Sequence, residues 1–151
     1  MKIGMMKLHV TAQEPTRANS FDAGWDLYSN EEVIILPQDE PILIGTGLVL
    51  AIPRDYAGLI LPRSGLAGKF GVTVANSPGL IDSGYRGEVK VALVNHHPVR
   101  AHQVKKGDRI AQLMVVPFKK LKFDERNDLE SLNSAYFVDE RGDGGFGGSG
   151  K

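Results

Sequence analysis

The chain has 151 residues, no cysteine, and 18 basic against 18 acidic residues. That length suits one domain with a sizeable core. The missing thiols exclude disulfide frameworks, thiolate metal sites and cysteine nucleophiles, and the balanced charge provides no basic field for a nucleic-acid backbone. Residues 1–10 hold no continuous apolar leader, and no stretch approaches the roughly 20 apolar residues of a membrane span, so the expectation is a soluble, cytoplasmic protein.

Short β-branched and apolar runs predict strands at residues 6–11, 33–36, 42–52, 57–61, 72–75, 88–95 and 109–117. Turn signals at Pro37, Pro41, Pro53, Pro62, Pro78, Gly87, Pro98 and Gly107 recur at the spacing of an antiparallel sandwich or barrel. Only residues 64–70 and 127–132 suit helices, each too short to persist without packing on something else. The pattern is all-β. Glycines crowd the end of the chain, so a domain of residues 1–140 is expected to be followed by a flexible arm, 141–151.

Five segments carry polar residues in patterns that suggest chemistry, and each has a plain structural reading beside it. In AGWDLYS, residues 23–29, Asp26 can cap a turn while Trp25 fills the core. In PRSGLA, residues 62–67, a guanidinium, a hydroxyl and a glycine N–H suit phosphate oxygens, unless Ser64 simply caps a helical turn. NSPGLIDSGYRGE, residues 76–88, reads as two strands around a glycine-rich hairpin with Asp82 anchored by the apolar pair before it. In GDRIAQLMV, residues 107–115, Gln112 is a lone amide in an apolar run, satisfied by backbone on the plain reading. RGDGGFGGSG, residues 141–150, places one arginine and one phenylalanine in a tail too glycine-rich to fold by itself.

Three other patterns lack the context that their chemistry needs. Residues 145–151 match the spacing of a phosphate loop, but no hydroxyl residue and helix follow the lysine. His96 and His97 are adjacent and would diverge on a strand, with no third ligand at sensible spacing, which favours a surface hairpin. The Arg141–Gly142–Asp143 triplet is a common chance tripeptide and carries no adhesion role.

Taken together and in this order, the five segments resemble the motifs of the trimeric dUTPase family from about Lys7 to the C-terminus. The departure is Gly84, where an acidic residue often precedes the tyrosine. The resemblance implies a distorted jelly-roll or β-barrel subunit in a homotrimer with shared sites. It also implies hydrolysis of dUTP to dUMP and pyrophosphate by water attack at the α-phosphorus, which limits uracil in DNA and supplies dUMP. Asp82 is then the general base. Arg63, Ser64, Gly65, Gln112, Arg141, Gly147 and Ser149 hold phosphates. Asn76, Gly79, Leu80, Ile81, Tyr85, Lys90 and Phe146 hold the nucleoside, with Tyr85 under the deoxyribose and Phe146 on the uracil. Mg2+ is expected to be bound chiefly by phosphates and water, with Asp26 meeting its hydration shell. The expected partners are dUTP and two further copies of the chain, with neither nucleic acid nor membrane among them. A dCTP deaminase of the same fold would need a glutamate near the pyrimidine C4, and a dUTP-binding regulator would need neither Asp82 nor the closing arm.

Overall fold

The computed structural model describes residues 2–136, and the chain divides into two units, Met1–Lys119 and Lys120–Lys151. The first unit holds eleven strands: β1 (Gly4–Lys7), β2 (Trp25–Tyr28), β3 (Val33–Ile35), β4 (Ile42–Gly45), β5 (Leu48–Ala51), β6 (Tyr56–Leu61), β7 (Val72–Val74), β8 (Gly79–Ile81), β9 (Lys90–Asn95), β10 (His102–Val104) and β11 (Arg109–Pro117), with the short helix α1 (Ser64–Phe70) between β6 and β7. The all-β expectation holds. The strands form four antiparallel sheets in the orders β2-β11-β6-β8, β4-β9-β7, β1-β5 and β10-β3, and no barrel closes among the described residues.

Alternation on β9 shows how the core is made: Val91, Leu93 and Asn95 are buried while Ala92 and Val94 are partly covered. Leu27, Ile35, Ile44, Val72 and Ile110 meet this face from other strands. Fully burying each such side chain stabilises by about 1.5–3 kcal/mol. Asn95 sits in this apolar layer without penalty because its Nδ2 donates to Ile35 O at 3.1 Å and Arg100 O at 2.8 Å, and its Oδ1 accepts from His97 N at 2.9 Å.

Several boundaries differ from expectation for local reasons. The run 42–52 is two strands: Gly47 has φ 70°, and the chain leaves its pairing with β9 to pair with β1. Glu88 Oε1 accepts from Gly47 N at 2.8 Å and fixes that corner. The first strand ends at Lys7 rather than residue 11, since Ala12 N turns back to His9 O at 3.0 Å. Trp25 is 37% exposed rather than in the core, and the Arg17 guanidinium lies 4.2 Å from its ring centroid.

In the second unit, α2 (Leu129–Ala135) begins later than expected because Asp128 caps it, accepting from Ser131 N at 2.7 Å. No helix among the described residues is long and apolar enough to cross a membrane.

Candidate functional site

Three neighbouring strands deliver the polar groups of one cleft. Gln112 on β11 lies opposite Asp26 on β2 and opposite Leu61 on β6, two residues before Arg63. One row across the sheet therefore carries a carboxylate and an amide, with a guanidinium just past its end. Gly24 leaves room for the amide beside them, since a Cβ there would sit 2.6 Å from Gln112 Oε1 and displace it.

Asp26 is the hub. Its Oδ1 accepts from Arg63 Nε at 3.0 Å and its Oδ2 accepts from Arg109 Nη1 at 3.2 Å, while Arg63 Nη1 donates to the Arg109 carbonyl at 3.2 Å. The Asp26 side chain is 14% exposed, and this carboxylate is paired on both oxygens as burial requires. Two guanidiniums around one carboxylate leave the cluster cationic. Arg63 Nη2 has no protein partner among the described residues, which leaves donors for an anion.

The cleft has a volume of about 220 Å³, and its lining includes Asp26, Arg63, Ser64, Gly65, Arg109 and Gln112. Ser64 does not cap α1: Arg63 holds the N-cap position and no side chain caps the helix. The Ser64 hydroxyl is exposed and makes no hydrogen bond within the described residues. Gly65 has nothing within 4 Å of where a Cβ would stand. Its lack of a side chain serves access to the backbone rather than packing. Gln112 Nε2 donates to Pro62 O at 3.3 Å, which ties the amide to the PRSG turn.

Arg109 escaped the sequence reading. On a regular strand, residues 109 and 112 would face opposite sides of the sheet. The β2–β11 register shifts between Arg109 and Ala111, and that irregularity re-aims Arg109 onto the Asp26 side. Its position after the Gly107–Asp108 turn is the only sequence signal.

The expected nucleoside residues among those described sit elsewhere, in the turn before β8, on β8, in the hairpin after it and at the start of β9. Gly79 pairs with Ile60 and Ile81 with Gly58. Asn76 folds over Gly79, its Nδ2 lying 3.3 Å from the position a Gly79 Cβ would take. Leu80 and Asp82 are exposed, Ile81 is buried, and the Asp82 carboxylate has no hydrogen-bond or ion-pair partner among the described residues. Tyr85 donates its hydroxyl to Glu88 O at 2.9 Å, and Lys90 Nζ lies 3.6 Å from Glu88 Oε2.

None of these residues lines the Arg63 cleft. Because β8 runs against β6, Asp82 lies beyond the Gly58 rung, whereas Arg63 lies five residues further along the chain in the other direction. At about 3.4 Å per residue this separates them by on the order of 15 Å.

Arg141, Phe146, Gly147 and Ser149 lie outside the described residues. Among the described residues no three His, Asp or Glu side chains gather as metal ligands. The cleft's second carboxylate, Asp22, accepts from Asn19 N at 2.8 Å within its own loop. His97 Nδ1 accepts from Val99 N and Arg100 N at 3.2 and 2.9 Å, in keeping with the surface turn expected there.

A family model described as dUTPase matches residues 11–150. A deoxyuridine 5'-triphosphate nucleotidohydrolase of Mycobacterium leprae is 49% identical over 137 residues, covering 90% of this chain and 86% of that protein. A structure of the Staphylococcus bacteriophage 80alpha dUTPase with dUPNHPP superposes with a TM-score of 0.87 at 30% identity, covering 99% of each chain. A mutant dUTPase from phage phi11 of S. aureus, described with a structural Mg(II) ion, superposes with a TM-score of 0.77 at 26% identity, covering 86% of this chain and 99% of that one.

Proposed function

We infer how the site works from one premise: the chain belongs to the dUTPase family and is a dUTP diphosphatase, hydrolysing dUTP to dUMP and pyrophosphate. The Arg63, Ser64, Gly65 and Gln112 cluster binds the phosphates, and Arg109 joins it. In-line attack of water at the α-phosphorus spreads charge over the phosphate oxygens, so fixed guanidiniums and N–H groups aimed at those oxygens contribute most of the rate. Asp82 orients the water and takes its proton, a role that suits an exposed carboxylate with no other partner. Asn76, Gly79, Leu80, Ile81 and Lys90 hold the uracil edge and Tyr85 the deoxyribose.

The observation that carries this arrangement is the separation of Asp82 from Arg63 along β6. Backbone positions on the order of 15 Å apart do not favour both groups meeting at one phosphorus from the same chain. In our reading a second copy supplies one of them. This supports the homotrimer of jelly-roll subunits with sites shared between chains, a closed symmetry in which each chain gives its arginine to one site and its aspartate to another. The arm, residues 141–151, closes over the assembled site, with Arg141, Gly147 and Ser149 on phosphate and Phe146 on the base. A cytoplasmic enzyme that acts on the nucleotide alone fits the balanced charge.

The donor set fits magnesium that arrives with the triphosphate. Both carboxylates of the cleft are already engaged, so phosphates and water would hold the ion and Asp26 would meet only its hydration shell. When bound, magnesium neutralises charge on the phosphate oxygens.

Complementation tests the shared site. Arg63→Ala and Asp82→Asn should each lower turnover, the latter by roughly 10²–10⁴. When the two inactive proteins are unfolded together in equal amounts and refolded, sites that combine an intact Arg63 from one chain with an intact Asp82 from another should restore roughly a quarter of parental activity. Recovery no greater than that of each protein refolded alone would place both residues on one chain and overturn the arrangement.

A further inference from the structure

Resting on the reading of Tyr85 as the deoxyribose contact, we propose that Gly87 is the positioning residue for discrimination against the 2′-hydroxyl, with Arg86 as its support. Tyr85 is 46% exposed, so no apolar core pins its ring. What holds it is local. Its hydroxyl donates to Glu88 O at 2.9 Å and its N–H donates to Asp82 O at 3.0 Å. Arg86 Nη1 spans the turn, donating to Ser83 O at 2.7 Å and Tyr85 O at 2.6 Å. The ring then lies across Gly87, where a Cβ would stand 2.4 Å from Oη, 2.6 Å from Cζ and 3.0 Å from Cε2.

The φ of Gly87 is not in the left-handed region, so the backbone accepts a side chain there. Glycine is required by the ring and not by the turn. An added methyl group displaces the movable partner, which is the tyrosine ring, and leaves the strands on either side paired. The ring loses its hydroxyl anchor and the place it holds beneath the sugar. Gly84 is the internal comparison, because a Cβ there meets nothing within 4 Å. Arg86 fixes the carbonyls on both sides of Gly84, so the tip keeps its shape without the acidic residue that often stands there.

The experiment compares kcat/KM for dUTP and UTP in Gly87→Ala, Gly84→Ala, Tyr85→Ala and the double variant Gly87→Ala/Tyr85→Ala. Gly87→Ala should narrow the dUTP preference about tenfold or more, the order expected when a contact group is misplaced by about an ångström. Gly84→Ala should keep the parental ratio, and Gly87→Ala should add nothing to the ratio once Tyr85 is alanine. Arg86→Gln should narrow the ratio in the same direction. If Tyr85→Ala removes the preference while Gly87→Ala leaves it intact, or if Gly87→Ala acts equally without the tyrosine, the proposal is overturned. A preference that survives Tyr85→Ala overturns instead the reading of Tyr85 on which it rests.

Discussion

Asp26 spends both carboxylate oxygens on arginines, so its influence on the reaction passes through the positions of Arg63 and Arg109. Asparagine keeps the shape but can accept from only one of them through its oxygen, and its NH₂ opposes the other. We expect Asp26→Asn to lower kcat/KM for dUTP roughly 10–100-fold while leaving the dUTP to UTP ratio unchanged, since the proposed sugar contact, Tyr85, lies on the hairpin after β8. Arg109→Gln should cost less, because Arg63 retains Oδ1 of Asp26. A shift in sugar preference in either variant would contradict the separation of phosphate and nucleoside residues. Part of this cluster was legible as chemistry in the sequence: the arginine, hydroxyl and glycine of PRSG suit phosphate oxygens without any fold, although a capped helical turn suited them equally until the structure put Arg63 at the N-cap. Arg109 was not, because the bulge that turns it toward Asp26 is a property of strand register and leaves no periodic trace.

At the scale of elements, β11 and α1 matched their expected spans because strong punctuation bounds them, Gly107 before the one and Pro62 with Gly71 around the other. β10 was invisible for the opposite reason. His102–Val104 has one buried apolar residue, and the strand exists only through pairing with β3. Its first residue is a titratable probe of that pairing. The His102 ring packs 4.8 Å from Phe70 of α1, and burial lowers its imidazole below the ordinary 6.5, against an upward pull from Asp108 and with a smaller push from Arg100 in the same direction as burial. The folded chain thus favours the neutral ring, and the unfolded chain takes the proton first as acid is added. This contribution to stability is whole above about pH 6.5 and is lost as pH falls through the lowered value. Thermal melts from about pH 7.5 to about pH 5 should fall more steeply for the parent than for His102→Gln. Parallel curves would show that the folded state leaves this imidazole unperturbed.

For the whole molecule, the arm and the domain should separate in their effects. Arm residues 141–151 are glycine-rich, a composition that offers little apolar surface to bury, whereas in our reading Arg141 and Phe146 close the site. Deleting them should leave the melting temperature nearly unchanged and remove most turnover. A lost cooperative melt, or near-parental turnover, would refute the lid. The proposals that the arm closes a site and that the site needs several chains rest on family resemblance, the second also on the register along β6, since composition carries no sign of either. The spacing along β6 has one more consequence. In the shared-site reading, a newly made chain standing alone carries Arg63 and Asp82 at separate places along β6 and turns over no dUTP until it meets its own kind. On that reading output should rise more steeply than the number of chains while assembly is incomplete, so that activity follows abundance rather than synthesis.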